Sequence, residues 1–202
     1  MIDNQDGRAR GSIILRWISR QVPMLALALL AGASPVIADA LQDENLLTTM
    51  PSGFKTGYSA SNGKEDMMEY VPSAETVEDW TKMVTVQVFH DAKNVDPDAF
   101  AANIADGWKS SCTGGDAEKI TTGVENGYPI AVWAYDCALN PETNKPESMW
   151  LKVTSGGDAL YSVQYAYRAK ATGDLATPAL DYLHSVMVCD TRRNDRPCPK
   201  GM

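Results

Sequence analysis

The sequence predicts an α+β fold, in which a twisted antiparallel β-sheet of about six or seven strands packs against two main helices. Apolar and polar residues alternate in several short runs, which is the spacing of half-buried strands. Only two segments repeat apolar residues at helical spacing. The connections are short and rich in Gly, Pro and Asn, so neighbouring strands are expected to pair in antiparallel fashion.

Three strands are expected before the first helix. Residues 53–60 and 67–72 flank the pair Asn62-Gly63, which is a strong signal for a hairpin turn. Residues 83–90 alternate valine with polar residues and form the clearest strand of the chain. The other stretches predict an irregular first segment at 41–52 and a single capped helical turn at 73–80.

Residues 96–112 predict the first helix. Asp96 can cap its start, and Pro97 suits the first helical position, where a missing N–H breaks no hydrogen bond. The expected apolar stripe consists of Phe100, Ile104 and Trp108. Gly114 and Gly115 are expected to form a linker back to extended structure.

Four strands in meander order are expected next, joined by turns that contain Gly, Pro or Asn. They are residues 117–124, 128–139, 148–155 and 159–169. A second helix is expected from Thr177, with Pro178 at its start, to about Val188. Its buried stripe consists of Leu180, Leu183 and Met187. The polar tail from Cys189 onward is expected to be irregular and tied back by a disulfide.

Residues 1–40 predict a secretory signal peptide. A basic leader precedes the apolar run 24–33, which is far shorter than the about 20 residues of a membrane-spanning helix. Small residues follow, so cleavage is expected after Ala40 or, alternatively, after Ala38. Ala33 stands where a lipoprotein signal would carry a cysteine. We therefore expect residues 41–202 to form a single soluble domain in the bacterial periplasm, without a stable membrane anchor.

Charge and cysteine content narrow the possible partners. The chain carries a net charge of −8, which disfavours binding to the phosphates of nucleic acids. An even number of cysteines in an exported protein predicts disulfides. Three pairings of the four cysteines are possible, and we favour the two that close short segments. These pairs are Cys112–Cys137 and Cys189–Cys198.

Residues 90–98 contain the best candidate ligands for a metal ion, namely His90, Asp91, Asp96 and Asp98. Hard cations favour such oxygen clusters. The alternative is that the two later aspartates serve the start of the first helix. His184 and Met187 could also hold copper(I), although such a pair is usually a coincidence. No phosphate-binding loop or nucleophile motif is present, and no cofactor is expected.

Aromatic side chains recur along three of the later strands. If their faces coincide, they form a wall that could line a groove for a small apolar or peptide ligand. The alternative is that the helices cover these side chains as core, because aromatic residues dominate protein interiors. The candidate groove residues are Trp133, Tyr135, Trp150, Tyr161 and Tyr165.

The order of these elements resembles the PsbP-like fold. Residues 50–91 run from a Pro-Gly-aromatic start through an acidic segment to a Val-rich strand, and they resemble small exported bacterial proteins of unassigned function. The segments 110–112, 134–137 and 140–148 extend this resemblance over nearly all of the mature chain. Proteins of the PsbP-like fold are mostly accessory or binding proteins, so the resemblance implies non-catalytic work.

Three functions remain open. The first is an exported, non-catalytic binding or accessory protein with an unknown protein or small-molecule partner. The second is an exported hydrolase that uses acidic or metal-bound residues at 90–98. The third is a structural envelope protein that acts through a sheet edge or through a basic tail. The basic residues of that tail are Arg192, Arg193, Arg196 and Lys200.

Overall fold

The structure, a computed structural model, describes residues 41–199. The predicted signal peptide and Lys200 lie outside these residues. In chain order the elements are β1 Glu44–Leu47, β2 Phe54–Ser61, β3 Glu65–Pro72, β4 Lys82–His90, α1 Pro97–Ser111, β5 Thr113–Glu125, β6 Tyr128–Asn140, β7 Lys145–Ser155, β8 Ala159–Tyr167, α2 Gly173–Ser185 and β9 Met187–Asp190.

Seven strands form one antiparallel sheet in the order β2-β3-β4-β8-β7-β6-β5. The first and last strands, β1 and β9, pair with each other as a separate two-stranded sheet. The predicted α+β class, with a seven-stranded antiparallel sheet and two helices, is therefore confirmed.

The interior strand β7, next to the middle strand β8, is buried on both faces from Ser148 to Ser155. Its register places Trp150 opposite Tyr165 of β8, whereas the next residue, Leu151, lies opposite Trp133 of β6. Side chains of successive strand residues point to opposite faces. The sheet thus has one core beneath α1 and another beneath α2.

Helix α1 begins as its sequence predicts. The Asp96 carboxylate accepts hydrogen bonds from the N–H groups of Asp98 at 2.9 Å and Ala99 at 3.4 Å, which satisfies two helical donors that have no partner within the helix. The buried residues of α1 are Pro97, Ala101 and Ala105. The predicted stripe of Phe100, Ile104 and Trp108 is partly buried against the same cluster.

Both favoured disulfides are present. Cys112–Cys137 joins the end of α1 to β6, and Cys189–Cys198 joins β9 to the tail. Each is expected to stabilise the fold by roughly 3 kcal/mol, mainly because it restricts the unfolded chain.

Helix α2 ends at a buried lysine. The Lys152 side chain is 2% exposed, and its ammonium donates to the carbonyls of Leu183 at 3.1 Å and Val186 at 2.8 Å. It also forms an ion pair with Glu125 at the end of β5. Cations are favourable at the C-terminal end of a helix, where the last carbonyl groups lack partners within the helix. One side chain of β7 therefore bonds both the end of α2 and the edge strand β5.

The two-stranded sheet is held by the Glu44 carboxylate. It accepts hydrogen bonds from the N–H groups of Gly157 at 2.6 Å and Asp158 at 3.0 Å, and from the Tyr161 hydroxyl at 3.0 Å. A side chain at Gly156 would collide with this carboxylate. Glycine at the turn between β7 and β8 is therefore required for β1 to dock.

Two predictions about the first half of the chain are wrong. The segment 41–52 is not wholly irregular, because Asn45 and Leu46 pair with β9. The segment 73–80 forms turns and no helix. Its Glu75 carboxylate bonds the N–H of Thr81 at 2.6 Å and the hydroxyl of that residue at 2.8 Å. Such side-chain bonds compete with helical hydrogen bonds and hold the segment as a loop.

Three further predictions near the helix ends are corrected. Gly114 and Gly115 belong to β5, so α1 leads directly into a strand. Helix α2 begins at Gly173 and keeps Pro178 in its interior, because earlier residues pack on the core and outweigh one missing hydrogen bond. Met187 belongs to β9, as do Cys189 and Asp190, because their backbone groups pair with β1. Met187 therefore adds nothing to the stripe of α2.

A half-buried carboxyl group lies at the start of β7. Asn140 Nδ2 donates to the Glu147 carboxylate at 3.0 Å. Burial raises the pKa of Glu147, and the bond from Asn140 and the charge of Arg168 oppose this rise. In the folded protein the protonated form is therefore favoured relative to the unfolded chain.

We expect Lys152→Met to lower the free energy of unfolding by about 3 kcal/mol, because it leaves buried carbonyls without a donor and Glu125 without its partner. Urea denaturation measures this loss. The control is Lys55→Met at an exposed position of β2, with an expected change within about 0.5 kcal/mol. Equal effects of the two substitutions would contradict the role of Lys152.

We expect Glu147→Gln to flatten the pH dependence of stability. As pH rises above 4.5, the ordinary glutamate value, the unfolded chain loses this proton before the folded protein does. The contribution of Glu147 to the free energy of unfolding therefore falls as pH rises through this window, and the amide removes that contribution. Urea denaturation between about pH 4 and pH 8 measures it. Exposed Glu142→Gln should leave the slope unchanged.

Candidate binding surfaces

The candidate metal ligands do not converge. His90 Nε2 lies 2.7 Å from the Asp66 carboxylate, and Asp96 caps α1. Asp98 accepts hydrogen bonds from Lys119 Nζ and from Trp133 Nε1, each at 2.9 Å. Among residues 41–199, no group of three or more His, Cys, Asp or Glu side chains could hold a metal ion.

The electrostatic surroundings of these carboxylates favour structural ion pairs. The hydrogen bond from Lys119 lowers the pKa of Asp98, and the bond from Trp133 acts in the same direction. Asp91 is in the left-handed backbone region with φ of 61°, where it turns the chain after β4. The copper pair does not share a helix, because His184 is in α2 and Met187 is in β9.

The aromatic residues do not form one wall. Trp133 and Tyr135 lie on the α1 face, whereas Trp150 and Tyr165 lie on the α2 face. The antiparallel register causes this separation, because Trp133 is opposite Leu151 and not opposite Trp150. The condition for an aromatic wall, namely that these faces coincide, is therefore not met.

These aromatic side chains are covered by neighbouring elements of the fold. Tyr135 is 1% exposed, and its hydroxyl donates to the Ala101 carbonyl of α1 at 2.9 Å. Trp150, Tyr161 and Tyr165 are at most 7% exposed. Tyr161 packs with Val188 of β9. These side chains form the core, and the predicted aromatic groove is occupied by the helices and by β9.

The basic tail is largely neutralised by acidic side chains. Arg192 bonds Asp190 at 2.7 Å and Asp158 at 2.6 Å. Arg193 bonds Asp195 at 2.8 Å, and the Arg196 guanidinium lies 4.2 Å from the centre of the Tyr128 ring. A cleft of about 350 Å³ lies beside this tail and is lined by Leu41 and residues of 190–199. The tail therefore presents little net positive charge.

The open edge of the sheet is the strand β5. It is 13 residues long, which corresponds to about 44 Å of extended backbone. It pairs with β6 on one side only, and ten of its residues are exposed while none is buried. Ile120 and Val124 are 41% and 69% exposed, so the edge also presents two apolar side chains.

The opposite edge, β2, is shorter and partly covered. It has 8 residues, and the loop after β3 packs against it. A side chain at Gly57 would approach Val77 of that loop to 2.7 Å. The two edges of the sheet therefore differ in length, and β5 offers the longer exposed run, with ten exposed residues against six in β2.

Natural edges are often blocked by a lysine or a β-bulge. In β5 a bulge falls between Lys119 and Thr121. The ammonium of Lys119 is turned back to Asp98 on α1, so it does not project along the edge. The backbone on either side of the bulge stays available for pairing. The sequence raises a sheet edge as a possible interaction surface but does not identify β5 as that edge, because a strand's place in a sheet depends on pairing between distant segments.

No protein-family profile matches the chain. A stretch of 64 residues, 32% of this chain, is 34% identical to polyketide synthase GfsB from Streptomyces halstedii. The match spans 1% of the length of that enzyme.

Two solved structures are similar in fold. The solution structure of cyanobacterial PsbP (CyanoP) from Synechocystis sp. PCC 6803 has a TM-score of 0.46 and 14% identity, and the match covers 79% of this chain and 98% of that one. LpqN, described as involved in cell envelope biogenesis of Mycobacterium tuberculosis, has a TM-score of 0.34 and 10% identity, with 75% and 87% covered. Neither similarity indicates a function for this chain.

Proposed function

We propose that the chain is an exported, non-catalytic accessory protein of the bacterial periplasm that binds another polypeptide. Binding takes place at the β5 edge, where an extended segment of the partner adds a strand to the sheet. The observation that carries this proposal is the length and exposure of β5, which pairs on one side only.

Strand addition fits this edge physically. The unpaired N–H and C=O groups of an edge strand supply hydrogen bonds to an added strand, and exposed side chains supply specificity. Ile120 and Val124 would bury apolar surface on binding. The ion pair between Lys119 and Asp98 removes the charge that usually blocks such an edge.

Export rests on two features of the chain. Residues 1–40 have the composition of a signal peptide, and both disulfides suit an oxidising compartment. Among residues 41–199, no helix has the length and apolar character needed to cross a membrane.

The structure offers less support for an exported hydrolase. Catalysis by residues 90–98 would require carboxylates or a metal ion that converge on one point. His90 and Asp98 instead pair with Asp66 and Lys119 on other elements, and Asp96 caps the start of α1. The binding function is therefore the one that the described surface supports best.

Export predicts a defined mature N-terminus. Protein recovered from the periplasm should begin at Leu41 or Asp39, because cleavage follows the small residues Ala40 or Ala38. N-terminal sequencing and intact mass measure this, and the mass also shows whether four thiols are oxidised. Periplasmic protein that begins at Met1 would contradict the prediction.

The edge is tested by photo-cross-linking in cells. A photoreactive amino acid at exposed Thr122 should capture a polypeptide partner, and the same group at Glu142 in the β6–β7 turn should not. Introducing Ile120→Lys and Val124→Lys should abolish the Thr122 adduct, because two protruding charges block an added strand.

These two substitutions are expected to change the free energy of unfolding by no more than about 0.5 kcal/mol each, because both side chains are exposed. The matched control is Met68→Lys, which changes an exposed apolar residue away from β5. An adduct that persists in the β5 double variant would refute binding at this edge.

A further inference from the structure

Two acidic side chains lie on one half of the β5 edge. Asp116 and Glu118 point to the same face, because they are two residues apart and pair with Asp136 and Ala134 of β6. The Asp116 side chain is 83% exposed and lies 3.8 Å from Lys109, which is a loose contact. Glu118 is exposed, and none of the ion pairs of residues 41–199 includes it.

Lys109 contacts Asp116 only loosely, and the other basic side chains on or beside the edge are engaged. Lys119 is bound by Asp98, and Lys152 is buried against Glu125. The arginines of the tail are held by acidic residues or by Tyr128. Since the chain as a whole carries a net charge of −8, this edge lies in a field that favours cations.

We infer that the segment added to β5 is basic, with lysine or arginine at alternate positions that face Asp116 and Glu118. This inference rests on the proposed function. Opposite charges on neighbouring strands stabilise pairing when they share a face, and the spacing of two residues sets the spacing of the partner's cations.

A second copy of the chain is a less suitable occupant. It would bring the same acidic residues and the same net charge of −8 to the edge, so the long-range interaction between the copies would be repulsive. A basic partner gains attraction from the same field. Steering of this kind weakens as salt increases, because mobile ions screen the charges.

The test uses two blocked eight-residue peptides and isotope-labelled protein purified from the periplasm. The basic peptide has lysine at its third and fifth positions and threonine or valine elsewhere, and the acidic peptide has glutamate at those two positions. Amide chemical shifts of β5 report binding. At low salt we expect the basic peptide to bind about tenfold more tightly. The difference should nearly vanish in about 1 M salt, where charges are screened within about 3 Å.

Charge reversal on the protein provides the matched variant. Asp116→Lys combined with Glu118→Lys should invert the preference, so that the acidic peptide binds more tightly. Glu142→Lys, an equally exposed change in the β6–β7 turn, should preserve it. Both variants should retain the amide spectrum of a folded protein, because the altered side chains lie at the surface.

The outcomes separate this inference from the proposed function. In one outcome the two peptides bind equally well at β5 and lose binding in the variant with Ile120→Lys and Val124→Lys. That result overturns the inference of a basic partner and leaves the proposal of strand addition intact. Both the inference and the proposed function are overturned by a combination of two results. The amide chemical shifts of β5 would not change with either peptide, and the Thr122 adduct would persist in the variant with Ile120→Lys and Val124→Lys. In a third outcome sedimentation reveals dimers that the Ile120→Lys substitution dissociates. That result would make a second copy of the chain the occupant of the edge and would overturn the inference.

Discussion

The alternation of side chains along β7 sets the arrangement of the whole domain. Trp150 and Lys152 point toward α2, while Leu151 and Val153 point toward α1, so each helix has its own core. A shift of one residue in register would exchange these sets, exposing apolar side chains and placing a lysine in the wrong core. Every helix position and both sheet faces depend on this register.

The buried Lys152 joins three parts of the chain that are distant in sequence. Its ammonium satisfies carbonyls at the end of α2 and the carboxylate of Glu125 at the end of β5. Glu44 has a similar role on the other sheet, because its carboxylate ties β1 to the turn between β7 and β8. Removal of one partner from such a buried pair leaves the other charge uncompensated, so both partners are needed to hold these elements together.

These internal pairings explain which surface remains for a partner. The acidic residues near the tail form ion pairs with Arg192 and Arg193, so that part of the surface is nearly neutral. The candidate groove residues Tyr135, Trp150, Tyr161 and Tyr165 are buried in the interior. The long strand β5 keeps its outer backbone groups and two acidic side chains exposed, so it combines access, hydrogen-bonding capacity and charge in one place.

The sequence by itself determined the class of fold, nearly all the strands and the cap of α1, and it favoured the correct cysteine pairs among three possibilities, because these depend on local spacing and on short connections. It did not determine which strands are edges or which faces coincide. Trp133 and Trp150 have equivalent local patterns, yet the register between β6 and β7 places them on opposite faces. Likewise β1 and β9 form a strand pair only because segments at opposite ends of the domain meet. Long-range pairing supplies this information, and no local pattern contains it.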